Sequence, residues 1–467
     1  MVGRVEDISL LILFLSVLGG YLLGIISGLL PGIHNNNFAL ALVAFAPFLA
    51  EKGLSPFYIA VIILSNALSQ TFHDIIPSVF LGAPDGDTAL TVLPGHRLLI
   101  DGAGAEAVRL SALGSAGSVV ASLIFVLPFS LFFKAVYPYL EAHMAGILIL
   151  IVFLMLASEK GEDSKEKGPL AKYRYKAFAL VLFLITGLLG LFAFAREALM
   201  VPVVNFGEPS ILLPLLSGLF GASQLIISLL TSSKIPEESV SALKLSRKRI
   251  LRGILTGSAA GSLVAWLPGL SSAIAALLTG LVAKVDFDRI PLKKKIHEPE
   301  LGRLKSSLYS DPYASNPETL ESSKEFIISN SGVNTSNAIF GLVAFVVIGR
   351  TRSGAMVAVE DILGTNTLDP PVLLLFFAAM VLTALFSYFS TIWIGNNAHI
   401  LLKKVDYSKL CAGVLLGLAI MVYLFTGVFG FFIFVISTPI GMLASFMNVR
   451  KSHAMGVILL PVILYFL

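Results

Sequence analysis

An all-α polytopic membrane protein built from two inverted-topology repeats is the fold the sequence predicts, on three observations. Only 13% of the 467 residues are charged and 56% are hydrophobic, whereas a soluble globular chain carries roughly 25% charged residues. Charge-free runs repeatedly exceed the roughly 20 residues with which a helix spans a bilayer. The basic loops between those runs fall in an order that gives the two halves opposite orientations. The net charge of +4 therefore reports sidedness, and no nucleic-acid partner is expected. A single cysteine, Cys411, excludes a disulfide framework and any multi-cysteine metal or redox centre.

The charge-free runs, in order, are 8–50, 53–73, 110–133, 142–158, 177–195, 209–233, 253–283, 326–349, 370–402, 410–449 and 452–467. The first is too long for a signal-peptide core and follows Glu6 and Asp7, so it reads as a retained helix. Runs 8–50 and 253–283 each contain a Leu-Pro-Gly, at Pro31-Gly32 and Pro268-Gly269. Proline removes a backbone donor and glycine weakens a helix, which predicts that each run folds back as a re-entrant hairpin. Run 410–449 has length for two crossings with a break near Gly427–Gly430.

Loops 159–176, 234–252 and 284–325 are strongly basic, and 403–409 and 450–451 are smaller basic loops. The positive-inside rule places all five on the cytoplasmic side of a plasma membrane. Counting crossings from 159–176 then leaves Lys52 and the N-terminus outside. Each half becomes one hairpin plus about five crossings, with boundaries 1–233 and 234–467.

The halves also resemble each other. "GIISGLLPGIHNNNFALAL" is similar to "GSLVAWLPGLSSAIAALL", and "ILSNALSQTFHDI" (Ile63 to Ile75) to "IISNSGVNTSNAI" (Ile327 to Ile339). Ser65 and Asn66 match Ser329 and Asn330, Thr71 matches Thr335, and His73 matches Asn337. Inverted repeats with discontinuous helices are characteristic of secondary transporters.

The candidate site follows from these matches. Asn35, Asn36 and Asn37 follow the first Pro-Gly, and Ser271 and Ser272 the second, where they can cap a half-helix whose opening N–H groups suit an anion. Alternatively, Pro-Gly only kinks two packed helices. Ser65, Asn66, Gln70 and Thr71, with Ser329, Asn330, Asn334, Thr335 and Asn337, supply oxygens for a small cation and donors for a carboxylate. The same residue types also act as interhelical glue. His73 and Asp74 are candidates for coupling to a proton or cation, or Asp74 lies at a wet interface. His34 fits an anion site or a polar turn.

These hairpins, the polar-ended helices behind them and "GHRLLIDGAGAEAVRLSALG" (Gly95 to Gly114) resemble the large membrane subunit of tripartite tricarboxylate transporters. That resemblance covers nearly the whole chain. It implies a secondary transporter of organic anions coupled to Na⁺ or H⁺, working with a small membrane subunit and an extracytoplasmic substrate-binding protein. Where the family typically carries Glu-x-Ala-Asn-Asn-Ala, this chain reads "VNTSNA" (Val333 to Ala338) and lacks the acid.

The expected function is thus alternating access of a small carboxylate-type anion around a midplane site, with no catalysis and no cofactor beyond a coupling ion. A second reading is a translocase of an anionic lipid or lipid phosphate, which anion-binding hairpin tips would also serve. A distant third is an intramembrane enzyme, suggested by "GAPDGD" (Gly82 to Asp87) and His73-Asp74.

Overall fold

A computed structural model of the chain describes residues 8–30, 35–80, 94–95, 98–99, 102–157, 159, 171–204, 209, 211–231, 245–267, 272, 275–276, 279, 317–351, 353–364, 369–402, 407–447 and 449–467. Every regular element among them is helical. In chain order these are α1 (Leu10–Leu29), α2 (Asn35–Glu51), α3 (Pro56–His73), α4 (Ile75–Phe80), α5 (Gly104–Ala142), α6 (Met144–Ala157) and α7 (Ala171–Phe194). Then come α8 (Leu212–Leu216), a π-helical turn (Ser217–Ala222), α9 (Ser223–Thr231), α10 (Arg247–Trp266) and α11 (Pro317–Ile348). The last are α12 (Gly354–Leu363), α13 (Pro370–Leu402), α14 (Tyr407–Phe446), a 3₁₀ turn (Lys451–Met455) and α15 (Gly456–Phe466). Seven helical stretches among the described residues are long and apolar enough to cross a membrane, so the chain is an all-α polytopic membrane protein.

The two Leu-Pro-Gly breaks end their helices as expected. Leu30 closes α1 in extended geometry (φ −88°, ψ 106°), and Leu267 closes α10 in nearly the same geometry (φ −97°, ψ 121°). Each precedes a proline, whose ring disfavours helical geometry one residue back. The tips themselves, Pro31, Gly32 and His34 and then Pro268, Gly269 and Ser271, lie outside the described residues, as does 81–93 with its two acids. Both α1 and α2 pack on α3, and beyond it α1 touches α13 while α2 touches α12.

Helix packing falls into two groups. The first bundle gathers α1–α5 and α10–α13, and the second gathers α6–α9, α14 and α15 with the π and 3₁₀ turns. The bundles meet where Leu267, Ala276 and Phe326 of the first join an apolar cluster with Met144, Leu215 and Leu216 of the second. Helix α3 runs through the centre of the first bundle, touching α1, α2, α5, α11, α12 and α13. Its residues Phe57 to Phe72 are buried save the half-covered Ile62. Lipid-facing apolar surface sits instead on α1, on the second half of α5 and on α13, at residues such as Leu11, Leu127 and Phe389.

The long run 410–449 breaks at Gly427, inside the expected interval. Gly427 adopts φ 67°, ψ −161°, left-handed backbone that costs a residue with a Cβ about 1–2 kcal/mol. The break frees the Leu424 carbonyl, which accepts hydrogen bonds from the Val203 and Val204 N–H groups at 2.9 and 3.0 Å. A Cβ on Gly427 would also run into the Val201 carbonyl. Segment 201–204 thus satisfies the interrupted helix from outside it.

Helices α5 and α11 are among those that extend further than their charge-free runs. α5 starts at Gly104 rather than near residue 110, and α11 starts at Pro317 rather than near 326. Both extensions carry charges that are paired. Lys324 Nζ donates to Glu106 Oε1 at 2.6 Å with both side chains buried, and Glu325 pairs with Arg249 and Arg252 of α10.

Candidate functional site

Most of the candidate residues lie on α3 and α11, which touch each other. A seam of glycines brings α1 onto α3: a Cβ on Gly20 would strike the Ile62 carbonyl and Ser65, and one on Gly24 would strike Ser69 and the Asn66 carbonyl. α10 meets α11 in the same way. A Cβ on Gly257 would strike the Ser329 carbonyl, and one on Gly261 the Val333 carbonyl. In both pairs the glycines stand four residues apart, against contact residues that are also four apart. Such close approach leaves no room for side chains between the helices, which therefore cross backbone to backbone.

On the opposite side of this seam, α3 and α11 touch each other through Thr71 and Thr335, whose hydroxyl oxygens lie 3.1 Å apart. Thr71 also donates to the Leu68 carbonyl at 2.8 Å, so the hydroxyl proton between the two threonines comes from Thr335. These are the residues that the sequence comparison of the halves aligns. On the same two helices, Ser65, Asn66, Gln70, His73, Asp74, Ser329, Asn330 and Asn334 are all buried.

The hydrogen bonds assign several of these groups. Ser27 spends its hydroxyl proton on the Gly24 carbonyl, so it accepts from Asn66 Nδ2 at 3.2 Å. That fixes the Asn66 amide, with Oδ1 turned away. Ser329 donates to the Phe326 carbonyl at 3.0 Å and lies 3.3 Å from Thr279 Oγ1. Asn337 Nδ2 donates to Ser272 at 3.1 Å. Ser272, a capping candidate in the sequence, is therefore held against α11. Asn35 and Asn36 open α2, and their side chains lie outside the described residues.

His73 is fully engaged. Its Nδ1–H donates to the Ser69 carbonyl at 2.7 Å, and Nε2 lies 2.8 Å from Ser390 Oγ on α13. Asp74 caps α3 through its backbone N–H to the Gln70 carbonyl at 3.0 Å, and its own carbonyl accepts from Ser78 at 2.8 Å.

Several buried polar atoms find no hydrogen-bond partner among the described residues. They are Ser65 Oγ, Asn66 Oδ1 and both amide atoms of Asn330 and of Asn334. Ser387 Oγ and Thr391 Oγ1 on α13 share this state. A buried polar group left without a partner costs about 1–3 kcal/mol, and water or a ligand can offset that cost. The α13 hydroxyls were missed in the sequence. Their signal was present, since Thr383, Ser387 and Thr391 recur every four residues on one helical stripe. Among the described residues no group of three or more His, Cys, Asp or Glu side chains gathers that could hold a metal ion.

A second polar cluster lies in the other bundle. Glu159 accepts from His453 Nε2 at 2.8 Å, from Arg450 Nε at 3.2 Å and from the Arg450 backbone N–H at 3.1 Å. Burial alone would push the Glu159 carboxyl up, but these three donors and the Arg450 charge hold it at about 2.

A polytopic helical protein whose most enclosed helix is also among its most polar has the build of a membrane transport protein. The family comparison agrees and is specific. Residues 14–456 match the tripartite tricarboxylate transporter TctA family, and the chain belongs to that family of transporters. It is 26% identical over 457 residues to an uncharacterized protein of Methanocaldococcus jannaschii, across 96% of this chain and 97% of the relative. No solved structure matches it.

Proposed function

We propose that the chain is a secondary active transporter of a small carboxylate-bearing organic anion, coupled to Na⁺ or H⁺, with the substrate held at the α3–α11 crossing. The observation that carries this is the set of buried, unpartnered polar atoms at Ser65, Asn66, Asn330 and Asn334. A bundle that leaves such groups open at its centre is arranged for a polar guest.

The same contacts support an inverted repeat over 1–233 and 234–467. In a two-fold arrangement a residue on the axis meets its own counterpart, and Thr71 meets Thr335. The two glycine seams, Gly20 and Gly24 against Gly257 and Gly261, are likewise equivalents. Each bundle draws helices from both halves, so alternating access takes the form of the first bundle moving against the second.

Sidedness is supported by the ion pairs. Glu159 with Arg450, Arg249 with Glu321, Arg252 with Glu325 and Lys324 with Glu106 each join segments assigned to the cytoplasmic side. Glu141 and Arg350, 4.0 Å apart, join segments assigned to the outside. The N-terminus then lies outside a plasma membrane, and a small membrane subunit and an extracytoplasmic binding protein complete the system.

Uptake of radiolabelled citrate or succinate into proteoliposomes under an inward Na⁺ gradient tests the assignment. Asn66→Ala and Asn330→Ala are each expected to lower the initial rate at least tenfold. Wild-type rates in both variants would remove the site from this crossing.

A further inference from the structure

The two halves of the crossing have diverged chemically. On α3, the Asn66 amide nitrogen is committed to Ser27, whose own proton goes to the Gly24 carbonyl. The bond to Ser27 uses one of the two Asn66 N–H groups, so Asn66 keeps Oδ1 and one N–H for a guest, and Ser65 Oγ beside it is open. On α11, Asn330 and Asn334 stand one turn apart on one face, and neither amide has a partner among the described residues. These two amides bring four N–H donors with them. The α3 side thus offers two oxygens and a single amide N–H, and the α11 side offers four amide N–H donors.

We propose that the repeats divide the work: Ser65 and Asn66 form the subsite for the coupling cation, an alkali cation such as Na⁺, while the Asn330 and Asn334 amides hold the substrate carboxylate. A carboxylate needs N–H or O–H donors, and the unpinned amides of α11 supply them in a pair suited to its two oxygens. A desolvated alkali cation needs oxygen ligands, and a pinned amide oxygen next to a hydroxyl supplies two of them, with water and main-chain carbonyls for the rest. Thr71 and Thr335 join the subsites at the helix contact. Along each helix, five residues separate the asparagine from its threonine, roughly 7.5 Å of rise. With the threonines between them the two subsites stand up to roughly 15 Å apart, within which a bound cation and carboxylate in a bundle interior attract each other, so each raises the affinity for the other.

This division rests on the transporter function proposed above, and thermal unfolding of the purified chain separates the two. In wild-type protein, NaCl in place of choline chloride is expected to raise Tm without substrate, and citrate or succinate to raise it further only with Na⁺ present. Asn330→Asp and Asn334→Asp remove donors and set a negative charge against the carboxylate. Each is expected to keep the Na⁺ response and to raise the carboxylate concentration for half-maximal shift more than tenfold. Asn66→Asp keeps the oxygen and adds charge, so its Na⁺ midpoint stays at or below wild type, while Ser65→Ala raises it more than fivefold. Ligand-free Tm and elution volume identify any variant that fails to fold, and the two aspartate variants on α11 back each other up. Loss of the Na⁺ response in Asn330→Asp or Asn334→Asp with the carboxylate response retained would overturn the division and leave transport standing. An unchanged Na⁺ midpoint in Ser65→Ala together with a lost carboxylate response in Asn66→Asp would do the same. A wild-type chain silent to Na⁺ and to both carboxylates would remove the transporter function and the division together.

Discussion

At the scale of single residues, burial and hydrogen bonding decide which polar groups are structural and which are open to a guest. Ser65-Asn66 and Ser329-Asn330 were legible as a repeated motif, and all four are buried in the first bundle. What the sequence concealed is their difference in state, because Asn66 is pinned by Ser27, which lies 39 residues away. His73 is a coupling candidate in the sequence, and what the sequence does not reveal is that its ring links the Ser69 carbonyl to Ser390, 317 residues away. Glu159 carried no signal at all, since its partners Arg450 and His453 stand at the far end of the chain. Its carboxyl is held at about 2, below the ordinary 4.5. A depressed carboxyl contributes stability above its unfolded pKa and loses it as pH falls through the folded value. Glu159→Gln is therefore expected to lower stability at pH 7 by on the order of 3 kcal/mol. The gap from wild type should close as pH drops from 5 towards 2. Tm of both proteins measured across that range checks the sign.

At the scale of elements, breaks were more legible than extents. Proline stops α1 and α10 where expected, and the glycine interruption of α14 falls at Gly427. Helix α12 escaped notice, although Ser353 caps Met356 N at one end and Gly364 closes the other with φ 78°. Its ten residues are too few for a crossing, and a search for charge-free runs passes over Glu360 and Asp361. The starts of α5 and α11 were misplaced for a related reason. Glu106, Lys324 and Glu325 look like loop charges until the partners that neutralise them are known. Gly427→Ala tests the clearest of these features. It forces a Cβ into left-handed backbone and against the Val201 carbonyl, for a loss of about 2 kcal/mol or more, read as a lowered Tm.

At the scale of the whole molecule, the described helices pass from one bundle to the other at three points: from α5 to α6, from α9 to α10 and from α13 to α14. If transport moves one bundle against the other, tethering them should stop uptake and spare binding. With Cys411, the chain's one cysteine, replaced by alanine, cysteines at Phe326 and Leu216 joined by a flexible bis-maleimide are expected to abolish proteoliposome uptake. The citrate-induced rise in Tm should persist. Undiminished uptake in the cross-linked protein would show that the bundles move as one.

The enclosure of α3 also has a consequence for synthesis. Thr71 is 264 residues ahead of the Thr335 hydroxyl that meets it. At about 5–20 residues per second, a ribosome takes roughly 13–53 s to make the intervening chain. Through that interval α1 can cover Ser65 and Ser69 through its glycine seam, and α2 and then α5 can pack on α3, but the α11 surface that meets Thr71 is missing. Lipid is a poor host for such a face. The nascent chain must therefore keep α3 sheltered in the insertion machinery, or in water at the membrane surface, until α11 emerges. Pausing the ribosome before residue 317 should leave α3 accessible to water-borne reagents.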